Sequence, residues 1–364
     1  MLFCRPLQGK FLGAAVHIYM KTGDYVDMEN LENRHIVYVK VFLSDIRNQY
    51  AALLESQLWH DYLSHVPCSV VGQAPLDGSK VSLLVCTSDA SSASSFCSLR
   101  LCGTDLAGKD AYGQAVALFE KFVGSAHLAD DASGVGCLRV WLYVADTDGC
   151  LDAVEKARDD VFGRHGIDAG KLRMAVTVVG GVTHADGAVV ALDYLSFGGD
   201  AKAVVPPCSD EGSAKDVSAA GYGCIDLGVD LGSGLRVDIP PFVLPSATDA
   251  DMSQLDVRQY TGQILGDMGV RLKRYGLTMN HVSCFVAYRR DFSDYTDVDR
   301  LLSMAFPYVP HVIVCADGAG GCLPVMIECV AERLPRLTRG LSVMYSDIYV
   351  CHNVCIYGIF VNNQ

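Results

Sequence analysis

Three times along the chain, a run rich in β-branched and aromatic residues ends in an aspartate: HIVYVKVFLSD (35–45), GCLRVWLYVAD (136–146) and HVSCFVAYRRD (281–291). Val, Ile, Tyr and Phe suit a pleated, half-buried surface, so each run is expected to be a strand. The closing Asp45, Asp146 or Asp291 can accept hydrogen bonds from the free amides of a helix after it. A pattern repeated at this spacing means that one supersecondary unit is used several times, each copy covering a face that its neighbours leave bare.

The segment after each run repeats as well. Residues 49–62, 151–162 and 295–306 place apolar side chains at helical spacing, for example Leu53, Leu54 and Leu58, or Val154, Ala157 and Val161. After each helix come two short apolar runs joined by a glycine turn, at Gly78, at Gly187 and at Gly318 to Gly321, which read as paired hairpin strands. A further helix precedes the first strand at 111–123 and 255–275, and a short strand at 96–102 precedes the earlier of these. The unit is therefore β-α-β-α-β-β, a sheet with two helices on one face, and the fold class is α+β. The expected segments are a truncated unit (1–90), two complete units (91–200 and 201–335) and a β-rich tail (336–364), with polar linkers near 88–95, 200–207 and 209–218.

Composition narrows what such a chain can do. Twenty-nine basic against 42 acidic side chains give a net charge of −13, with no Lys/Arg run, which speaks against a general nucleic-acid binder. The 15 cysteines contain no paired C-x-x-C knuckles, so neither structural zinc nor any other metal is expected, and they read as buried thiols of a cytoplasmic protein. The N-terminal MLFCRPLQGK has no secretory leader pattern. The most apolar window (341–361) contains Asp347, His352 and Asn353 and alternates like a strand, so no membrane span is expected. The glycine-rich stretch 221–236 lacks the context of a phosphate loop and reads as a hairpin.

The order of elements, with the phrases QYTGQILGDMGVRLKRYGLTMNHVSCFVAYRRDFSDY, LRVWLYVAD and EKARDDVFGRHGI, resembles the Rid/YjgF family (endoribonuclease L-PSP, enamine/imine deaminases) in a tandem, multi-domain form. The resemblance implies chorismate-mutase-like units that form an intrachain pseudo-trimer, with ligand clefts between units. The family's deaminases use an Arg to grip the substrate carboxylate and a Glu to place a water. By this resemblance the Arg position falls on Arg173 in the middle unit, on Cys68 in the first and on His311 in the last. The Glu position falls on Ala191, Leu83 and Met326, with Asp193 and Glu328 two residues further on as the candidate catalytic carboxylates. The family's Ser-Gly pair corresponds to Cys102-Gly103.

LRVWLYVAD and the downstream ARDDVF are also similar to the middle segment of the chorismatases, which hydrolyse chorismate and are built from Rid-like units. That likeness makes Arg139, Trp141, Tyr143 and Arg158 candidates for holding a dicarboxylate, beside the alternative that Trp141 and Tyr143 simply pack. The expected function is binding of a small carboxylate metabolite between units, with deaminase-like hydrolysis at a degenerate site. The alternatives are a non-catalytic metabolite-binding or protein-interaction scaffold, and a chorismatase-like enzyme. No cofactor is implied, and further self-association stays open.

Overall fold

The computed structural model describes residues 9–11, 14–20, 35–88, 94–128, 137–169, 172–198, 201–204, 226–232, 234–242, 256–291, 293, 295–318, 323–333 and 354–361. The polar linker at 209–218 and most of the tail, 334–353, lie outside these residues.

The three repeated runs are the strands β3 (His35–Leu43), β7 (Cys137–Val144) and β13 (Val282–Arg289). Each leads into a helix: α1 (Ile46–Leu54), α4 (Thr147–Arg164) and α6 (Tyr295–Ala305). The aspartate cap holds in two units, where Asp45 accepts from the Asn48 amide and Asp146 from the Gly149 amide. In the third, Asp291 instead accepts from the Ser293 amide, two residues on, before the helix begins.

The next strand in each unit is β4 (Cys68–Gly72), β8 (Arg173–Gly180) or β14 (His311–Cys315), and after it comes β5 (Val81–Ser88), β9 (Val190–Phe197) or β15 (Met326–Arg333). These last two strands do not form the hairpin expected from the glycine turns. The sheet orders are β5-β3-β4, β9-β7-β8 and β15-β13-β14, so the repeated strand lies between them, parallel to one and antiparallel to the other. The helix crossover explains this, because it returns the chain beside and parallel to the strand it left.

Each sheet then gains outer strands. The second gains β6 (Ser94–Leu99). The third gains β10 (Lys202–Val204) and the hairpin of β11 (Leu227–Asp230) and β12 (Leu235–Ile239) expected in the glycine-rich stretch, turned at Gly232 with φ +73°. The first gains β1 (Gly9–Phe11), β2 (Ala14–Met20) and the strand of the tail, β16 (Val354–Val361), which inserts between β2 and β5. The two ends of the chain thus complete the unit that looks truncated in sequence.

Helices cover one face of each sheet. α3 (Ala111–Ser125) and α4 pack on the second sheet, and α5 (Val257–Arg274) and α6 on the third. α1 and the short α2 (Gln57–Asp61) lie by the first. The opposite faces of all three sheets meet in one central core that contains Tyr38, Phe42, Leu84, Trp141, Tyr143, Leu195, Val286, Tyr288 and Val330. The seams are tied by backbone. The Gly72 amide donates to Val182 O (2.8 Å), Leu76 N to Ile313 O (2.9 Å) and Gly180 N to Asp317 O (2.6 Å). A Cβ on Gly180 would stand 2.8 Å from the Asp317 nitrogen, so glycine is what lets these edges approach. Among the described residues, no helix is long and apolar enough to cross a membrane.

Candidate functional site

Strand alternation sorts the residues of β7. Leu138, Val140 and Leu142 face the helices, whereas Trp141 and Tyr143 face the central core, and Arg139 lies on their side of the strand. Counting back from Asp45, Asp146 and Asp291, the position five residues earlier is Lys40, Trp141 or Val286. Register adds its neighbours. Lys40 pairs with Leu84 and Ser69, Trp141 with Asp193 and Thr177, and Val286 with Glu328 and Val312. Each unit therefore offers the seam an acid position (Leu84, Asp193, Glu328) and a hydroxyl position (Ser69, Thr177, Val312). Each acid reaches into the unit before it.

At the seam of the second and third units, Glu328 is saturated. Its Oε2 accepts from Arg139 Nη2 and from Thr177 Oγ1, both at 2.6 Å, and its Oε1 accepts from Trp141 Nε1 at 3.0 Å. Tyr288 bonds the same carboxylate. The Arg139 guanidinium is 2% exposed and also donates to the carbonyls of Val140 and Ala175. Burial, and then the charge of Glu328, push the Tyr288 phenol well above its ordinary range.

The seam of the first and second units repeats this geometry with different chemistry. Asp193 is fully buried. Its Oδ1 accepts from Arg100 Nη1 (2.9 Å) and Ser98 Oγ (2.8 Å), and its Oδ2 from Ser69 Oγ (2.7 Å) and Tyr143 OH (3.0 Å). Burial alone would raise the Asp193 carboxyl; Arg100, Lys40 and the serine hydroxyls outweigh it and hold it below the ordinary carboxylate range. Arg100 also donates to Ser69 Oγ at 2.7 Å, and its side chain stays 17% exposed. Lys40 lies beneath, donating to Tyr143 OH at 3.0 Å, with Nζ 3.3 Å from the Trp141 ring centre and 3.9 Å from Asp193 Oδ2. Burial lowers its ammonium to about 7, against the pull of Asp193 and Glu328. Outside, half-buried Tyr50 from α1 stacks on His184 of the β8–β9 loop at 3.9 Å and 4°, and both sense the charge of Arg100. Nearby Cys68 has its thiol pushed up to about 12 by burial, which leaves it a poor nucleophile.

The third seam, between the third and first units, has no acid at Leu84 and apolar Val286 and Val312 opposite. Its polar group sits further along the strands, where Arg236 donates in a fork to Asp238 at 2.8 and 2.9 Å and approaches Glu332 at 3.5 Å.

The structure therefore brings together Arg139, Trp141, Thr177 and Glu328 at one seam and Tyr143 and Asp193 at the next. It does not bring Arg158 to them: α4 lies on the helix-covered face, where Arg158 pairs with Asp159 at 2.7 Å. Cys102 is exposed beyond Arg100, and Gly103 (φ +54°) opens a short 3-10 turn (Gly103–Asp105) there. Arg173 begins β8; its side chain lies outside the described residues. The expected equivalence of Arg173 with Cys68 and His311 does not hold in register. Cys68 pairs with Val39 and His311 with Phe285, and the matching partner of Val140 is Val176, three residues beyond Arg173, because β8 starts earlier than β4 and β14. Likewise the first-unit counterpart of Ala191 and Met326 is Ser82, not Leu83. Sequence reasoning passed over Lys40, Ser69, Arg100 and Thr177. Three of these have a common signal, a polar residue inside an apolar strand run. Among the described residues, no three His, Cys, Asp or Glu side chains converge as a metal-binding set.

No family model matches the sequence, and no curated protein matches it. A chorismatase crystal structure matches 87% of this chain and 98% of its own length, with TM-score 0.54 and 15% identity. YjgF-family proteins from Neisseria meningitidis (TM-score 0.24, 21% identity, 30% of this chain and 86% of that one) and Mycobacterium tuberculosis (0.23, 21%, 29% and 84%) overlay shorter stretches. In fold, then, this chain is α+β with three mixed sheets, consistent with tandem YjgF-like units as in chorismatase.

Proposed function

We propose that this chain binds a small carboxylate metabolite at the seam of its first and second units and acts on it as a chorismatase-like enzyme. One observation carries the reading. Two cations, Arg100 and Lys40, share the single carboxylate of Asp193 there, and the outer one remains open to solvent. A planar guanidinium on a side chain that water reaches is suited to a carboxylate. Beneath it, Lys40, Tyr143 and Asp193 form a hydrogen-bonded chain able to hold and move a proton near neutral pH. The chorismatase likeness spans all three units, which favours this reading over a deaminase one. Glu328 is better assigned to structure than to catalysis, since both its oxygens are committed to buried donors.

The test is a thermal-shift and turnover screen of wild type and Arg100→Ala against chorismate and a panel of keto, imino and dicarboxylic acids. Ligand that binds only the folded chain raises its melting temperature by mass action. A shift seen with wild type and lost in the variant supports the seam as the site. A shift that survives Arg100→Ala moves the site elsewhere, and a shift without turnover leaves a metabolite-binding scaffold.

A further inference from the structure

We propose that the first seam is a proton-coupled anion site: a carboxylate that neutralises Arg100 loads a proton onto Lys40. The inference rests on Arg100 being the ligand anchor and adds a linked change of charge inside the protein.

The geometry is one of competition. A carboxylate has about four lone-pair positions, and those of Asp193 are taken by Arg100, Ser98, Ser69 and Tyr143. Lys40 is left at 3.9 Å and donates to the Tyr143 oxygen, whose own proton goes to Asp193. The groups facing Lys40 are Asp193 from β9, Tyr143, Trp141 and Arg139 from β7, Glu328 from β15 and Arg100 just past β6. Glu328 is committed to Arg139, Trp141 and Thr177. Charged Lys40 therefore adds a second positive charge beside the one carboxylate of this seam, in a place that is 2% exposed. Three influences oppose its charge, the dry surroundings first, then Arg139, which Glu328 answers, and then Arg100, which shares Asp193 with it. Against the pull of Asp193 and Glu328 they set its balance near neutrality. A ligand carboxylate on Arg100 cancels the last of the three and draws the guanidinium away from Asp193. Both effects favour the ammonium. No bond between heavy atoms is made or broken; one proton passes from solvent to Lys40 Nζ as the anion binds.

The experiment is an NMR titration from pH 5.5 to 10.5 of the full chain carrying 13Cε-labelled lysine, with Lys40→Met to assign the signal. Chorismate is the probe, at a concentration that shifts the melting temperature. Lys40 should titrate near neutrality, well below the surface lysines, and chorismate should raise its midpoint by about one unit or more, a tenfold change in proton affinity. A midpoint near 10 in the free protein overturns the proposal, as does bound chorismate that leaves the midpoint in place. If neither chorismate nor the wider panel binds, the proposed function fails separately, and the coupling is read from Arg100→Gln, which removes one of the two opposing cations and must raise the midpoint. Should that variant not fold, Ser69→Ala frees a position on Asp193 for Lys40 and must move the midpoint in the same direction. An unmoved midpoint in the folded variant refutes the coupling.

Discussion

A single buried lysine gives this protein a pH signature. The unfolded value of a lysine is about 10.4, whereas burial holds Lys40 at about 7 in the folded chain. Between those values the unfolded state binds the extra proton, so the Lys40 contribution to stability rises as pH climbs from 7 toward 10 and is at its least favourable below 7. Lys40→Met should therefore gain most over wild type near pH 6.5, and the difference in melting temperature should shrink toward pH 10. A gap independent of pH would show that Lys40 titrates normally. Glu328 makes the contrasting case. Glu328→Ala takes from the buried Arg139 guanidinium its close partner at 2.6 Å, leaving Asp238 at 4.0 Å, and should cost about 3–5 kcal/mol in denaturant unfolding. Replacing both residues by apolar side chains of similar size should cost far less, because the pair's own desolvation is then removed as well.

The repeated element is a strand that delivers alternate positions to helices and the others to a seam, and the seams differ only in what those positions carry. Where Asp193 and Glu328 stand, the facing unit supplies Ser69 or Thr177; where Leu84 stands, it supplies Val286 and Val312. Leu84→Glu should accordingly destabilise by several kcal/mol, since Val312 holds the register position of the hydroxyls Ser69 and Thr177, while Leu84→Met should cost under about 1.5 kcal/mol. Chemical denaturation of the two variants separates the cases; equal losses would mean that shape, not polarity, limits this seam. The caps show how far a local motif transfers. Asp146→Ala removes an acceptor from the first turn of α4 and should cost about 1 kcal/mol. The Asp291 carboxylate serves a turn instead, so Asp291→Ala should spare α6.

At the scale of the molecule, the central core draws on all three sheets, and strands from both ends of the chain close the first, so the units are expected to unfold together. With Trp59→Phe, Trp141 is the sole remaining tryptophan and sits in that core; its fluorescence and far-ultraviolet circular dichroism should then report one coincident transition. Two separated transitions would mean that the units are independent domains. The amino-acid sequence by itself determined the repeated strand-to-helix pattern and the α+β class, because period-2 and period-3.6 patterns and aspartate caps are local and survive any arrangement of the parts. It also exposed Asp193 and Glu328, carboxylates within apolar strands. Only the tertiary structure decided which strands pair, since glycine turns look alike whether the strands they join are neighbours or are separated by a third. It alone decided that the tail completes the first sheet. And it divided the candidate residues between two seams: Arg139 meets Glu328 across 189 positions of sequence, and Asp193 meets Ser69 across 124, distances at which no spacing rule operates and only the packing of one sheet against another sets the partner.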